Sequence, residues 1–281
     1  MVTTEKLPAV QRIIDLALEE DVAHGDITSR VTVPETRYAE GTFLAKAKGV
    51  IAGLPVVEVV LHKVDSTVGF RALVDDGALV EPGTVLAEVA GRARSILTAE
   101  RTALNFLQQL SGTATATRKL VDLIEGTRAK LVDTRKTCPG MRALQRYAVR
   151  MGGGANHRFH LADAVLIKDN HIAAAGGVTK AVRSAKESVP HTMKVEVECA
   201  SIPMVIEALD SEVDIIMLDN FTLDDMRDAV TLIDGRALVE ASGNITEKTI
   251  AAVARTGVDL ISCGSITHSA PALDISLEFA G

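Results

Sequence analysis

The chain has 281 residues, of which 47% are hydrophobic and 3% aromatic, with no Trp and a formal net charge of −7. A net negative charge and so few aromatics argue against an extended nucleic-acid surface, which needs a basic face and stacking platforms. Cys138, Cys199 and Cys263 are odd in number and lack C-x-x-C spacing, so they support neither a disulfide framework nor a structural zinc site and read as small buried apolar residues.

The opening MVTTEKLPAV lacks the basic segment and apolar run of a secretory signal, and the apolar-looking stretch 50–61 is interrupted by Gly53, Pro55 and Glu58. A cytoplasmic protein with no membrane span is the expectation. Residues 5–20 place Leu7, Val10, Ile13, Ile14, Ala17 and Leu18 at helical spacing, and a loop is expected at Asp21–Ser29. From Tyr38 to Ala90, short apolar runs broken by Gly49, Gly53, Gly69, Gly77 and Gly83 predict a small β-rich sheet. Residues 95–110 carry Ile96, Leu97, Ala103, Leu104, Leu107 and Leu110 at helical spacing; a small polar stretch, Ser111–Thr117, then predicts a break, with a further helix over 115–125. A domain boundary is placed there, giving domains 1–112 and 113–281, with the C-terminal tail free to return to the first.

From residue 129 the rhythm changes. Apolar runs at Lys130–Asp133, Ala164–Lys168, Val195–Glu198, Asp214–Asp219, Ala237–Ser242 and Asp259–Cys263 end in polar residues and alternate with helix-like stretches. That alternation predicts a parallel sheet with crossover helices, and a β/α barrel, open or incomplete, suits it better than a doubly wound sheet. No dinucleotide or P-loop glycine fingerprint follows any of these strands. In a β/α barrel the loops after the strands build the active site, so the polar terminators should meet at one mouth.

Between Thr134 and Ala162 the chain has Arg135, Lys136, Arg142, Arg146, Arg150 and Arg158 but no Asp or Glu, which suits a small, multiply anionic substrate. Arg135, Lys136, His157, Arg158 and Lys168 form the cationic side of the expected mouth. Arg142, Arg146 and Arg150 recur every four residues and read as a solvated or subunit-facing helical stripe. Glu198 and Asp219 form the acidic side; they suit sugar hydroxyls, Mg²⁺ held directly or through water, or a cationic transition state. Glu196, Glu240 and Asp214 are read as pointing away and structural. Ser242-Gly243-Asn244 and Cys263-Gly264-Ser265 each sit between a strand and a helix, where exposed backbone N–H groups bind phosphate.

These residues carry a resemblance. Residues 131–172, LVDTRKTCPGMRALQRYAVRMGGGANHRFHLADAVLIKDNHI, are similar to the central signature of the quinolinate phosphoribosyltransferases. The agreement extends through LEEDVAHGDITS (18–29), LTAERTALNFLQQLSGTAT (97–115), KVEVEC (194–199), IMLDN (216–220), EASGNI (240–245) and GSITHSAPALDISL (264–277). The resemblance implies an N-terminal α/β sandwich domain, a C-terminal open α/β barrel, and a homodimer, with or without higher assembly, whose sites borrow residues from the neighbour. It implies a pentosyl-class glycosyltransferase of NAD biosynthesis that converts quinolinate and phosphoribosyl pyrophosphate, with Mg²⁺, into nicotinate mononucleotide, pyrophosphate and CO₂. It further implies that Thr134, Arg135, Lys136, His157 and Arg158, with Arg101 from the partner subunit, line the quinolinate pocket. Lys168 is then near both substrates, and Glu198 and Asp219 are near the ribose and metal. Ser242, Gly243, Asn244, Cys263, Gly264 and Ser265, with His268 close by, surround the 5′-phosphate. Lys136, Lys168, Glu198 and Asp219 are the catalytic candidates.

Alternative readings are a phosphoribosyltransferase acting on nicotinate, a Schiff-base aldolase using Lys168, and a scaffold built around a carrier-like module at residues 70–90. A monocarboxylate has less need of Arg101, Arg135 and Arg158 together, and the carrier-like turn lacks a lysine for covalent loading.

Overall fold

The structure is a computed structural model that describes residues 4–280. Helix α1, Pro8–Val22, buries Val10 and Ile14 on one face. A short helix, α2 at Ile27–Thr32, occupies the end of the expected loop, because the Asp26 carboxylate accepts the Ser29 N–H at 2.9 Å and caps its first turn. The glycine-punctuated region holds strands β1 (Tyr38–Ala45), β2 (Gly49–Val50), β3 (Gly69–Ala72), β4 (Leu79–Val80) and β5 (Val85–Arg92). It also holds helix α3, Leu54–Val64, an element the β-rich reading of this stretch did not include. Buried Leu54, Val57, Val60 and Leu61 share one helical face, with Val56 buried beside it, Pro55 sits in the first turn, and the Asp76 carboxylate accepts the Gly53 and Leu54 N–H groups at 2.7 and 3.2 Å.

Helix α4 runs unbroken from Ala93 to Asp122. The small polar stretch expected to interrupt it is a packing face instead. Ser111 Oγ accepts the Ala52 N–H at 3.0 Å and Thr115 Oγ1 the Val50 N–H at 2.8 Å, while Thr115 and Thr117 donate back to the carbonyls of Ser111 and Thr113. Small side chains let the backbones close in: a Cβ on Gly112 would lie 2.0 Å from the Pro271 carbonyl oxygen.

The six expected strands follow, each within a residue or two of the sequence reading: β6 (Lys130–Val132), β7 (Val165–Ile167), β8 (Val195–Cys199), β9 (Ile215–Asp219), β10 (Leu238–Ser242) and β11 (Leu260–Ser262). Helix α5 (Arg142–Met151) lies between β6 and β7, and α6 (Asp169–Ala175) and α7 (Val178–Ser188) lie between β7 and β8. Helices α8 (Ile202–Asp210), α9 (Leu223–Ile233) and α10 (Ile250–Ala254) make the next three crossovers; α11 (Ser265–His268) and β12 (Ile275–Phe279) end the chain. Among the described residues no helix is long and apolar enough to cross a membrane.

By contacts the chain forms two units, neither contiguous. The first takes the chain up to Arg118, Thr137–Gly153, and the segment from Ser265 onward; the second is Lys119–Lys136 with Gly154–Gly264, so the boundary expected at 112/113 falls inside α4. In the first unit an antiparallel sheet has the order β12-β1-β5-β3. Phe43, Ile51, Leu61, Leu86, Ile96, Leu107, Leu110 and Leu144 are fully enclosed in its core. In the second unit six parallel strands have the order β6-β11-β10-β9-β8-β7. β6 and β7 do not pair, so the barrel is open between its first and second strands.

Helix α5 corrects the reading of one of its arginines, Arg146, while Arg150 is exposed as a solvated stripe requires. Arg146 is buried, along with Gln145, Leu144 and Ala148; Arg142 Nε donates to Thr137 Oγ1 at 3.1 Å, and the Arg150 guanidinium lies over the Tyr147 ring. A four-residue repeat places residues on one stripe but does not say what covers it. Of the cysteines, Cys199 and Cys263 are buried as expected, whereas Cys138 is half-exposed.

Candidate active site

Alternation along the strands of the second unit separates two faces. Val195, Val197, Cys199, Ile216, Leu218, Val239, Ala241 and Ile261 form one buried apolar set. The opposite parity holds Leu166, Glu196, Glu198, Met217, Asp219, Glu240, Ser242 and Ser262. Register ties this set together, with Glu198 opposite Met217, Met217 opposite Glu240, and Asp219 opposite Ser242. At the strand ends it opens into a cavity of about 330 Å³ lined by Thr134, Arg135, Lys136, His157, Arg158, Lys168 and Ser242, with Leu166, Met217, Glu240 and Ser262.

A buried carboxylate brings the two halves of the cationic window together. Asp133 is fully enclosed; its Oδ1 accepts the His157 N–H at 2.8 Å and its Oδ2 accepts the Asn156 amide at 2.6 Å. The backbone reinforces this, since Ala155 N–H donates to Leu131 O at 2.8 Å and Asp133 N–H to Ala155 O at 3.2 Å. Arg135 and Lys136 therefore lie beside His157 and Arg158, and the Lys136 N–H donates to Thr134 Oγ1 at 3.0 Å. Arg158 Nη1 donates to Ala164 O at 2.9 Å. Its burial and the neighbouring Arg135 push the Arg158 pKa down, the expected cost of crowding cations before an anion arrives.

Lys168 Nζ pairs with the Glu198 carboxylate, so that ammonium is engaged by an acid rather than free to attack a carbonyl. One strand over, Asp219 Oδ2 accepts the Asn220 amide at 2.9 Å. Asn220 Oδ1 in turn accepts the Asn244 amide at 3.0 Å, and the Asn220 N–H donates to Ser242 O at 3.0 Å, clasping the loops after β9 and β10. Gly243 is required in that clasp: its φ is +95°, and a Cβ there would lie 2.2 Å from Asn220 Oδ1.

The expected residues do not all gather in the cavity wall. Glu198 and Asp219 approach it through Lys168 and the β10 loop. Cys263 is buried with its Sγ 3.7 Å from Ile245 O. Arg101, Ser265 and His268 belong to the first unit. Glu196 and Glu240 require a correction, for they do not point away: Glu196 is two residues before Glu198 and Glu240 two before Ser242, so period 2 puts each on the inner face. His157 Nε2 lies 3.3 Å from Glu196 Oε2 and 3.5 Å from Glu240 Oε2. Asp214 is structural as read, its carboxylate accepting the Val195 N–H at 2.9 Å. Asp133 and Asn220 were missed; only the period-2 rule, applied to the inward glutamates, offered a sequence signal.

Two family models match the chain: quinolinate phosphoribosyl transferase, N-terminal domain, over residues 26–111, and quinolinate phosphoribosyl transferase, C-terminal domain, over residues 113–278. The nicotinate-nucleotide pyrophosphorylase [carboxylating] of Mycobacterium leprae (strain TN) is 44% identical over 284 residues, covering 99% of this chain and 100% of that one. Quinolinate phosphoribosyltransferase [decarboxylating] 1 of Nicotiana glauca is 43% identical over 95% of this chain and 81% of its own length. The solved nicotinate-nucleotide pyrophosphorylase of Francisella tularensis superposes with a TM-score of 0.94 at 43% identity, covering 100% of both chains.

Proposed function

The chain belongs to the quinolinate phosphoribosyl transferase family, and we propose that its strand-end cavity joins quinolinate to the ribosyl carbon of phosphoribosyl pyrophosphate, releasing pyrophosphate and CO₂ to leave nicotinate mononucleotide. The observation that carries this reading is the collection of Arg135, Lys136, Arg158 and Lys168 around one cavity of about 330 Å³. Charge-assisted hydrogen bonds to a carboxylate are worth roughly 1.5–3 kcal/mol each, so a dicarboxylate gains from several cations where a monocarboxylate cannot.

The residues act by position and charge. Arg135, Arg158 and Lys136 grip the substrate carboxylates and aim the ring nitrogen at the ribosyl carbon. As pyrophosphate departs, that carbon acquires oxocarbenium character, and the Glu198 and Asp219 carboxylates stabilise it. No protein nucleophile is required. Alkylation makes the ring nitrogen cationic, which favours loss of the adjacent carboxylate as CO₂; the electron pair left on the ring carbon takes a proton from water while the arginines retain the other carboxylate. The loop Ser242-Gly243-Asn244 offers backbone N–H groups to the 5′-phosphate.

Glu198 and Asp219 lie near the C-terminal ends of adjacent strands and present hard oxygen donors, which fits Mg²⁺, an ion commonly held by one or two carboxylates together with substrate phosphates. These two residues would hold it, and it would offset the charge of the departing pyrophosphate. We assign Arg101, on exposed turns of α4, to the site of a second copy in a homodimer.

The test supplies carboxyl-labelled quinolinate, phosphoribosyl pyrophosphate and Mg²⁺ to the purified protein and follows labelled CO₂ and nicotinate mononucleotide. Both products are expected. Equal turnover of nicotinate, or folded protein that makes neither product, would overturn the reading.

A further inference from the structure

The His157 ring is held on both edges. On one, Nε2 faces two carboxylates, at 3.3 Å from Glu196 Oε2 and 3.5 Å from Glu240 Oε2. On the other, Nδ1 accepts the backbone N–H of Arg158 at 2.7 Å. A ring nitrogen that accepts a hydrogen bond carries no proton, so the ring proton sits on Nε2 and points at the glutamates. The His157 N–H is itself fixed by Asp133, and the Arg158 guanidinium is anchored on Ala164 O. One chain of contacts thus runs from the floor of the second unit to a substrate-facing arginine.

That floor is costly. Glu196 and Glu240 are 2% and 0% exposed, and among the described residues no donor makes a hydrogen bond to Glu196 Oε1 or to either oxygen of Glu240. Burying two acids so incompletely paired is unfavourable unless their charge is used. We infer that Glu196 and Glu240 are positioning residues: they lock the His157 ring with its proton on Nε2, which leaves Nδ1 to hold the Arg158 backbone and so fixes two groups of the substrate pocket. The inference rests on the reading of this cavity as the quinolinate site.

Proton affinities agree. Burial opposes a charged ring and the Arg158 N–H leaves no place for a second proton on Nδ1, so the pull of Glu196 and Glu240 on His157 holds its one ring proton on Nε2, while burial raises Glu196. With Nδ1 occupied, the proton the cluster retains lies in the contacts between Nε2 and the carboxylates. His157, Glu196 and Glu240 also have the donor types of a transition-metal site, with ligand atoms within 4.8 Å of one another. A metal on Nε2 would move the ring proton to Nδ1, against the Arg158 N–H, so the geometry favours the proton.

The test labels histidine with ¹⁵N in the full chain, assigns His157 by loss of its signals in His157→Gln, and compares Glu196→Leu and Glu240→Leu with Glu196→Gln and Glu240→Gln. In the wild type Nδ1 should be unprotonated. The Leu variants, which remove the acceptor, should raise KM for quinolinate about tenfold or more with kcat changed far less; the Gln variants, which keep an acceptor, should restore it. A purely structural role would move the melting temperature and leave KM alone. Protonated Nδ1, stoichiometric metal in the purified protein, or unchanged KM in folded Leu variants would each overturn the inference. If the Leu variants do not fold, the ring signals of the wild type and Gln variants decide it. Wild-type protein that does not turn over quinolinate sinks the substrate reading, and the ring signals still decide the positioning.

Discussion

Replacing Gly243 by Ala should cripple phosphoribosyl pyrophosphate binding without unfolding the protein. The new methyl group has two problems. Its backbone angle, φ +95°, is one that L residues rarely adopt, at a cost of roughly 1–3 kcal/mol. Its Cβ would also lie 2.2 Å from Asn220 Oδ1 and 2.7 Å from Asn220 Cγ, so the amide must swing away and give up the hydrogen bond from Asn244, about 1 kcal/mol more. Together these amount to about 2–4 kcal/mol, or at least about thirtyfold in affinity if the loop relaxes out of its binding shape. Calorimetric titration with phosphoribosyl pyrophosphate and Mg²⁺ measures it, alongside thermal unfolding. The Gly243→Ala/Asn220→Ala double variant removes the clash but not the strained angle, so it should recover part of the loss and give a non-zero coupling in a double-mutant cycle. If Gly243→Ala binds within threefold of wild type with an unchanged unfolding curve, the clasp does not shape the site and the reasoning is wrong.

Two further outcomes can be checked. The Glu196 carboxyl is raised above an ordinary 4.5, chiefly by burial, so the fold favours its protonated form and loses stability as pH rises from about 4.5 through the raised value. In urea unfolding, wild type should lose stability relative to Glu196→Gln across that range; a constant difference contradicts it. Arg101→Ala and Arg135→Ala chains, each inactive alone, should regain one working site in each mixed dimer if Arg101 serves a second copy, and none if it serves its own chain.

The second unit was legible because one rule governs it. Strands that alternate with helices, each ending in a polar residue, gave all six strands to within a residue or two, and the terminators Lys168 and Ser242 do line the cavity. The same period-2 rule also puts Glu196 and Glu240 on the inner face, since they share the parity of Glu198 and Ser242. The first unit was harder to read because remote partners decide its local structure. Val-rich Leu54–Val64 is a helix because Asp76, over twenty positions away, caps it. Ser111–Thr117 continues a helix because its hydroxyls serve the backbone at Val50 and Ala52, a use of small polar residues that mimics a turn in sequence. Asp133 and Asn220 act by holding other residues, and no spacing rule marks such a residue.

The pairing of β12 with β1 bears on how the protein is made. Gly41–Ala45 has its partner at Ile275–Phe279, with the whole second unit translated in between. During synthesis the first sheet therefore waits with one margin of β1 unpaired, a template on which another nascent chain can add. Truncations that remove the final strand should accordingly be read out first as insolubility rather than as weakened catalysis, even though that strand lies outside the unit that holds the cavity.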